Sequence, residues 1–86
     1  MALNKYVTNS MIFKSLENIN SKCFTTIEFI NVLTNQDKKM IKFLRDKSKR
    51  NWRSVVGIAL SRFEKQTQKI KKLSPISETP ARWEVI

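Results

Sequence analysis

Between positions 53 and 65, Arg53, Ser54, Ile58, Ser61, Arg62 and Lys65 recur at intervals that gather them on one side of a helix, around the chain's single glycine, Gly57. Guanidinium, ammonium and hydroxyl groups donate hydrogen bonds, and two of the three carry positive charge. The chemistry open to this set is recognition of an anionic, acceptor-rich partner. A second basic set, Lys47, Lys49 and Arg50, precedes it, and a third, Lys69, Lys71, Lys72 and Arg82, follows it. The 86-residue chain carries 17 Lys and Arg against 7 Asp and Glu, with no His, for a formal net charge of +10. Thirteen of the cations fall between Lys38 and Lys72, where the only acids are Asp46 and Glu64. Solubility alone would spread such an excess, whereas a surface for a polyanion concentrates it.

The same composition argues against catalysis. There is no histidine for acid–base work or metal binding and no cysteine pair. A single glycine cannot build a glycine-rich phosphate loop, and no motif brings two carboxylates together. No cofactor and no metal are expected. Cys23 has no partner for an intramolecular disulfide and, beside Phe24, reads as a small buried apolar residue in a reducing compartment. The opening "MALNKYVTNS" lacks the charged and apolar regions of a signal peptide, and no window approaches the roughly 20 apolar residues of a membrane span. The expectation is an intracellular, cytoplasmic protein without membrane attachment.

The elements that must hold these residues follow from periodicity. With 41% hydrophobic residues, the chain has enough apolar material for one small core. An N-terminal arm over residues 1–9 should lead into a single domain over residues 10–86. In "NSMIFKSLENIN", Met11, Ile12, Leu16 and Ile19 share a helical face, with Ser10 as the cap. Cys23 and Phe24 then read as a short extended link. In "FTTIEFINVL", Thr25 and Glu28 form a capping box, and Phe24 packs on Phe29 as a hydrophobic staple. Ile27, Ile30 and Leu33 continue that helix until polar "TNQD" breaks the pattern. A further helix in "DKKMIKFLRDK", capped by Thr34 or Asn35, turns Met40, Ile41 and Leu44 inward.

After the charged turn "KSKRN", Asn51 is placed to cap a helix from Trp52 to about Gln66. At 100° per residue, Trp52, Val55, Val56, Ala59 and Phe63 form one apolar stripe with Leu60 at its edge, so the two aromatics belong to the core. Ser54, Gly57, Ile58, Ser61 and Lys65 lie opposite, flanked by Arg53 and Arg62. Glycine inside a helix costs about 1 kcal/mol relative to alanine, so Gly57 calls for a close neighbour: an outside partner or the preceding helix. Beyond Thr67, Lys69 to Leu73 and Arg82 to Ile86 read as two strands of a hairpin with Pro75 and Pro80 in its long tip. Trp83 shares a strand face with Val85.

This order resembles the winged helix-turn-helix family from about Ser10 to Ile86: a mainly α fold of three or four helices with a small C-terminal β-hairpin. The resemblance rests on "FTTIEFINVL" as the opening helix, "NWRSVVGIALSRFEKQ" as the recognition helix and "KIKKLSPISETPARWEVI" as the wing. It implies double-stranded DNA as the partner, for a transcriptional regulator or a replication or maintenance factor of prokaryotic or viral origin. Arg53, Ser54, Ser61, Arg62 and Lys65 would then face base edges in the major groove, Ile58 a thymine methyl, and Gly57 the point of close approach. Lys47, Lys49 and Arg50, before the helix start, would contact phosphates, as would Lys69, Lys71, Lys72 and Arg82 on the wing. Two other partners suit the same charge: RNA, and an acidic protein bound by an adaptor. Pairing with a second copy through the N-terminal "ALNKYV" and the first helix is open, without a heptad seam to drive it.

Overall fold

The computed structural model describes residues 3–74 and 81–86. A 3-10 turn, Leu3–Tyr6, leads into α1 (Asn9–Leu16), β1 (Cys23–Thr25), α2 (Thr26–Gln36), α3 (Lys38–Lys47), α4 (Trp52–Thr67), β2 (Ile70–Lys72) and β3 (Arg82–Val85). The architecture is mainly helical with one small antiparallel sheet of strand order β1-β3-β2. The sheet departs from the expected two-stranded hairpin, because the extended link at Cys23–Thr25 pairs with β3, Phe24 opposite Trp83. β2 covers the other edge of β3, with Lys72 opposite Trp83. The expected hairpin tip with Pro75 and Pro80 lies outside the described residues.

Local signals fix the helix boundaries. Thr25 Oγ1 accepts from the Glu28 amide at 3.1 Å while the Glu28 carboxylate accepts from the Thr25 amide at 2.9 Å, completing the capping box. Phe24 and Phe29 are buried with ring centroids 6.1 Å apart, as the staple requires. The break after α2 is real, and Asp37, not Thr34 or Asn35, caps α3 through its side chain on the Met40 amide at 3.1 Å. α1 starts two residues earlier than expected, capped by Thr8 in place of Ser10. α4 begins at Trp52, yet the Asn51 side chain makes no capping hydrogen bond. At its far end Gln68 adopts a left-handed φ of 56°, and its amide bonds the Glu64 carbonyl to stop the helix.

One core joins every element: Val7, Ile12, Phe24, Phe29, Ile30, Leu33, Ile41, Leu44, Trp52, Val56, Ala59, Leu60, Phe63, Ile70 and Trp83. Burying side chains of this size stabilises by roughly 1.5–3 kcal/mol each relative to leaving them in water. The apolar stripe of α4 sits within it as expected, with Val55 half-buried and Leu60 fully covered. Trp83 donates its indole N–H to Thr26 Oγ1 at 2.9 Å, locking β3 to the first turn of α2. That lock rotates α2 so that Thr26, Phe29, Ile30 and Leu33 face inward and Ile27, expected inside, is left 49% exposed.

One further expectation is corrected. Cys23 is exposed, because in β1 it alternates with Phe24, which takes the core side. The described part of the expected N-terminal arm packs against the domain. Val7 is fully buried and Tyr6 stacks edge-on against Phe43 of α3 with centroids 4.9 Å apart.

Candidate nucleic-acid interface

α4 positions the first set of candidate residues. Its 16 residues make a rod about 24 Å long. The apolar stripe turns Trp52, Val56, Ala59, Leu60 and Phe63 inward, and the opposite stripe must therefore face out. Ser54, Ile58 and Lys65 are exposed, while Gly57 and Ser61 are half-buried. A Cβ built on Gly57 would meet nothing within 4 Å, so the preceding helix does not crowd this position. Of the two explanations for the glycine, packing against the preceding helix is thereby removed, and the space over the position is open. Ile58, at 53% exposure, is a large apolar side chain left in water at the centre of this stripe.

Two structures border the stripe. On one flank the Glu64 carboxylate accepts the Lys72 amide at 2.6 Å, so β2 and the hairpin run alongside α4. On the other, Arg62 donates to the Val7 carbonyl and to Asn9 Oδ1 at 3.3 Å, and Asn9 Nδ2 donates to Gln66 Oε1 at 2.9 Å. Glu64 and Arg62 stand about 160° apart around the helix axis, which leaves the outward stripe between them. Arg62, expected to read a base, is instead half-buried and holds the start of the chain against α4. Its guanidinium serves packing because the segment before α1 folds back into the core, which no local pattern announces.

Arg53 takes the opposite course. It is exposed, and its guanidinium carbon lies 4.8 Å from the centroid of the Trp52 ring. Arg45, from the last turn of α3, lies over the same ring at 5.0 Å. Trp52 is itself only 5% exposed, so one core residue orients two arginines from different helices at the start of α4. Lys49 and Arg50 are exposed in the turn just before this point, and Lys47 Nζ lies 5.9 Å from the Phe43 ring. Arg45 lies outside the three basic sets that the sequence marks. Its signal in the sequence is only its position seven residues ahead of a tryptophan.

In the hairpin, Lys69, Lys71 and Arg82 are exposed. Lys72 is half-buried, with Nζ 5.8 Å from the Trp83 ring. The Arg82 backbone is fixed by two bonds, its amide to Ser74 Oγ at 3.0 Å and its carbonyl from the Leu73 amide at 2.8 Å. Among the described residues no three His, Cys, Asp or Glu side chains gather as a metal site, and no helix is long and apolar enough to cross a membrane. A shallow cleft between α1 and the α2–α3 junction is lined by Ser10, Met11, Lys14, Gln36 and Asp37, but its carboxylate is already used to cap α3.

No family model matches the chain, and neither the curated proteins nor the solved structures offer a similar one. The functional reading therefore stands on the geometry of α4 and its surroundings.

Proposed function

We propose that the protein binds double-stranded DNA as a winged helix-turn-helix module, with α4 in the major groove and the β2–β3 hairpin as the wing. The observation that carries this reading is the outward stripe of α4: Ser54, Gly57, Ile58, Ser61 and Lys65 lie away from the core between two flanking elements, and the space over Gly57 is empty. A helix entering a groove about 12 Å wide needs a face of this kind, with small residues where the backbone comes nearest and donors around them. Arg53, exposed at the edge of the stripe, would fork onto a guanine edge, with Ser54, Ser61 and Lys65 as further donors and Ile58 against a thymine methyl. Lys47, Lys49 and Arg50 neutralise phosphates before the helix, and Lys69, Lys71, Lys72 and Arg82 do so from the hairpin. The role is that of a transcriptional regulator or a replication or maintenance factor.

Selection of bound fragments from a random duplex pool, followed by salt titration, tests the proposal. If about six phosphates are neutralised, log K falls against log salt with a slope near −5. Arg53→Ala should also narrow the preference for the selected sequence by roughly 1–3 kcal/mol. Failure to retain any duplex, or tighter binding to duplex RNA of matched length, would overturn it.

A further inference from the structure

We infer that the 3-10 turn at the start of the chain is a second phosphate-binding flank of the interface, with Lys5 and Lys47 gripping the backbone on the side of α4 away from the hairpin. The inference rests on the DNA-binding reading above and adds to it a residue and a geometry. Tyr6, in the turn, and Phe43, in α3, form an edge-on pair with centroids 4.9 Å apart. Each ring carries a lysine: Lys5 Nζ is 5.3 Å from the Tyr6 centroid, and Lys47 Nζ is 5.9 Å from that of Phe43. Two exposed ammonium groups from segments some forty residues apart are thereby brought to one aromatic platform.

The platform is fixed in place. Val7, the residue after Tyr6, is fully buried, and its carbonyl is held by Arg62 from α4. Because Arg62 and Glu64 leave α4 on opposite flanks, the 3-10 turn and the hairpin border the outward stripe from its two sides. A duplex seated on that stripe presents a sugar–phosphate strand along each wall of its groove. Lysines on one flank only would engage one strand, whereas this arrangement supplies cations to both. Lysine suits the task because an ammonium group neutralises a phosphate as a point charge without a fixed angle of approach. Lying against an aromatic face also limits the side chain's freedom before binding.

The test uses the full chain and about two turns of random-sequence duplex DNA, titrated with salt. Lys5→Ala and Lys47→Ala should each make the slope of log K against log salt shallower by about 0.9 and weaken binding roughly five- to tenfold near 0.1 M salt. The double variant should lose about twice as much slope, while Lys5→Arg keeps the wild-type value. Lys14→Ala removes an equal charge from the cleft side of α1 and should leave the slope unchanged. If the wild-type chain binds duplex and Lys5→Ala behaves like Lys14→Ala, the second flank is wrong and the α4 reading stands. If the wild-type chain binds no duplex, both fall.

Discussion

Gly57→Ala should make the protein more stable and a weaker binder at once. Gly57 has no positive φ, sits in the middle of α4, and has nothing within 4 Å of where a Cβ would lie, so the new methyl group meets no steric penalty inside the molecule. The gain is the helix-propensity difference, about 0.8–1 kcal/mol, which arises because glycine has more backbone freedom to lose on folding. For a domain of this size that corresponds to a rise in Tm of about 4–8 °C. The methyl group would project from the stripe assigned to the groove, so duplex affinity should fall, and Gly57→Leu should lower it further. Thermal unfolding by circular dichroism and fluorescence anisotropy with a labelled duplex measure the two quantities. A destabilised alanine variant would show that the position is crowded. A stabilised variant with unchanged affinity would show that the glycine faces solvent and nothing else.

Arg62→Ala should cost about 2 kcal/mol in denaturant unfolding, because a charged donor is taken from the buried Val7 carbonyl, and Arg62→Lys should not restore it; a loss under about 0.5 kcal/mol would remove its structural role. Thr26→Val keeps the shape but strands the buried Trp83 indole N–H, for an expected loss of about 1–3 kcal/mol; unchanged stability by urea titration would mean that the 2.9 Å bond contributes nothing net. Gln68→Gly relieves the left-handed φ of 56° and should add about 1 kcal/mol in the same assay, and a loss would place the strain elsewhere.

What the sequence makes legible follows the range of each interaction. Thr25, Glu28, Phe24 and Phe29 lie within six residues of one another, so the start of α2 can be read from types and spacing alone. The apolar stripe on α4 is equally local, because Trp52, Val55, Val56, Ala59, Leu60 and Phe63 repeat it at helical spacing. The third strand is not. Cys23–Thr25 joins the sheet only because β3, nearly sixty residues later, offers a free edge, and three residues carry too little pattern to forecast that. The fates of Arg62 and Lys5 are non-local in the same way: both depend on the segment around Tyr6 and Val7 folding back against α3 and α4. Arg53 and Arg62 have the same side chain at the two edges of one polar stripe, and only tertiary packing separates the arginine that ties the fold from the one left at the surface.

That separation bears on how the interface is prepared. A long side chain ordered on binding gives up roughly 1.5–2 kcal/mol of rotamer freedom, and a groove reader with several free arginines would lose that amount repeatedly. Here Arg45 and Arg53 already lie over the ring of Trp52, and the ring cannot turn away because it is 95% enclosed by the core. Cation–π attraction of about 0.5–1 kcal/mol at such exposed sites is too weak to freeze them but enough to favour the stacked rotamers. Lys5, Lys47 and Lys72 rest on Tyr6, Phe43 and Trp83 in the same manner. Tyr6, Phe43, Trp52 and Trp83 therefore act twice, inward as packing volume and outward as supports for cations. The rigidity of the core thus extends into the charged surface, where it would lower the entropy lost if a polyanion binds there as proposed.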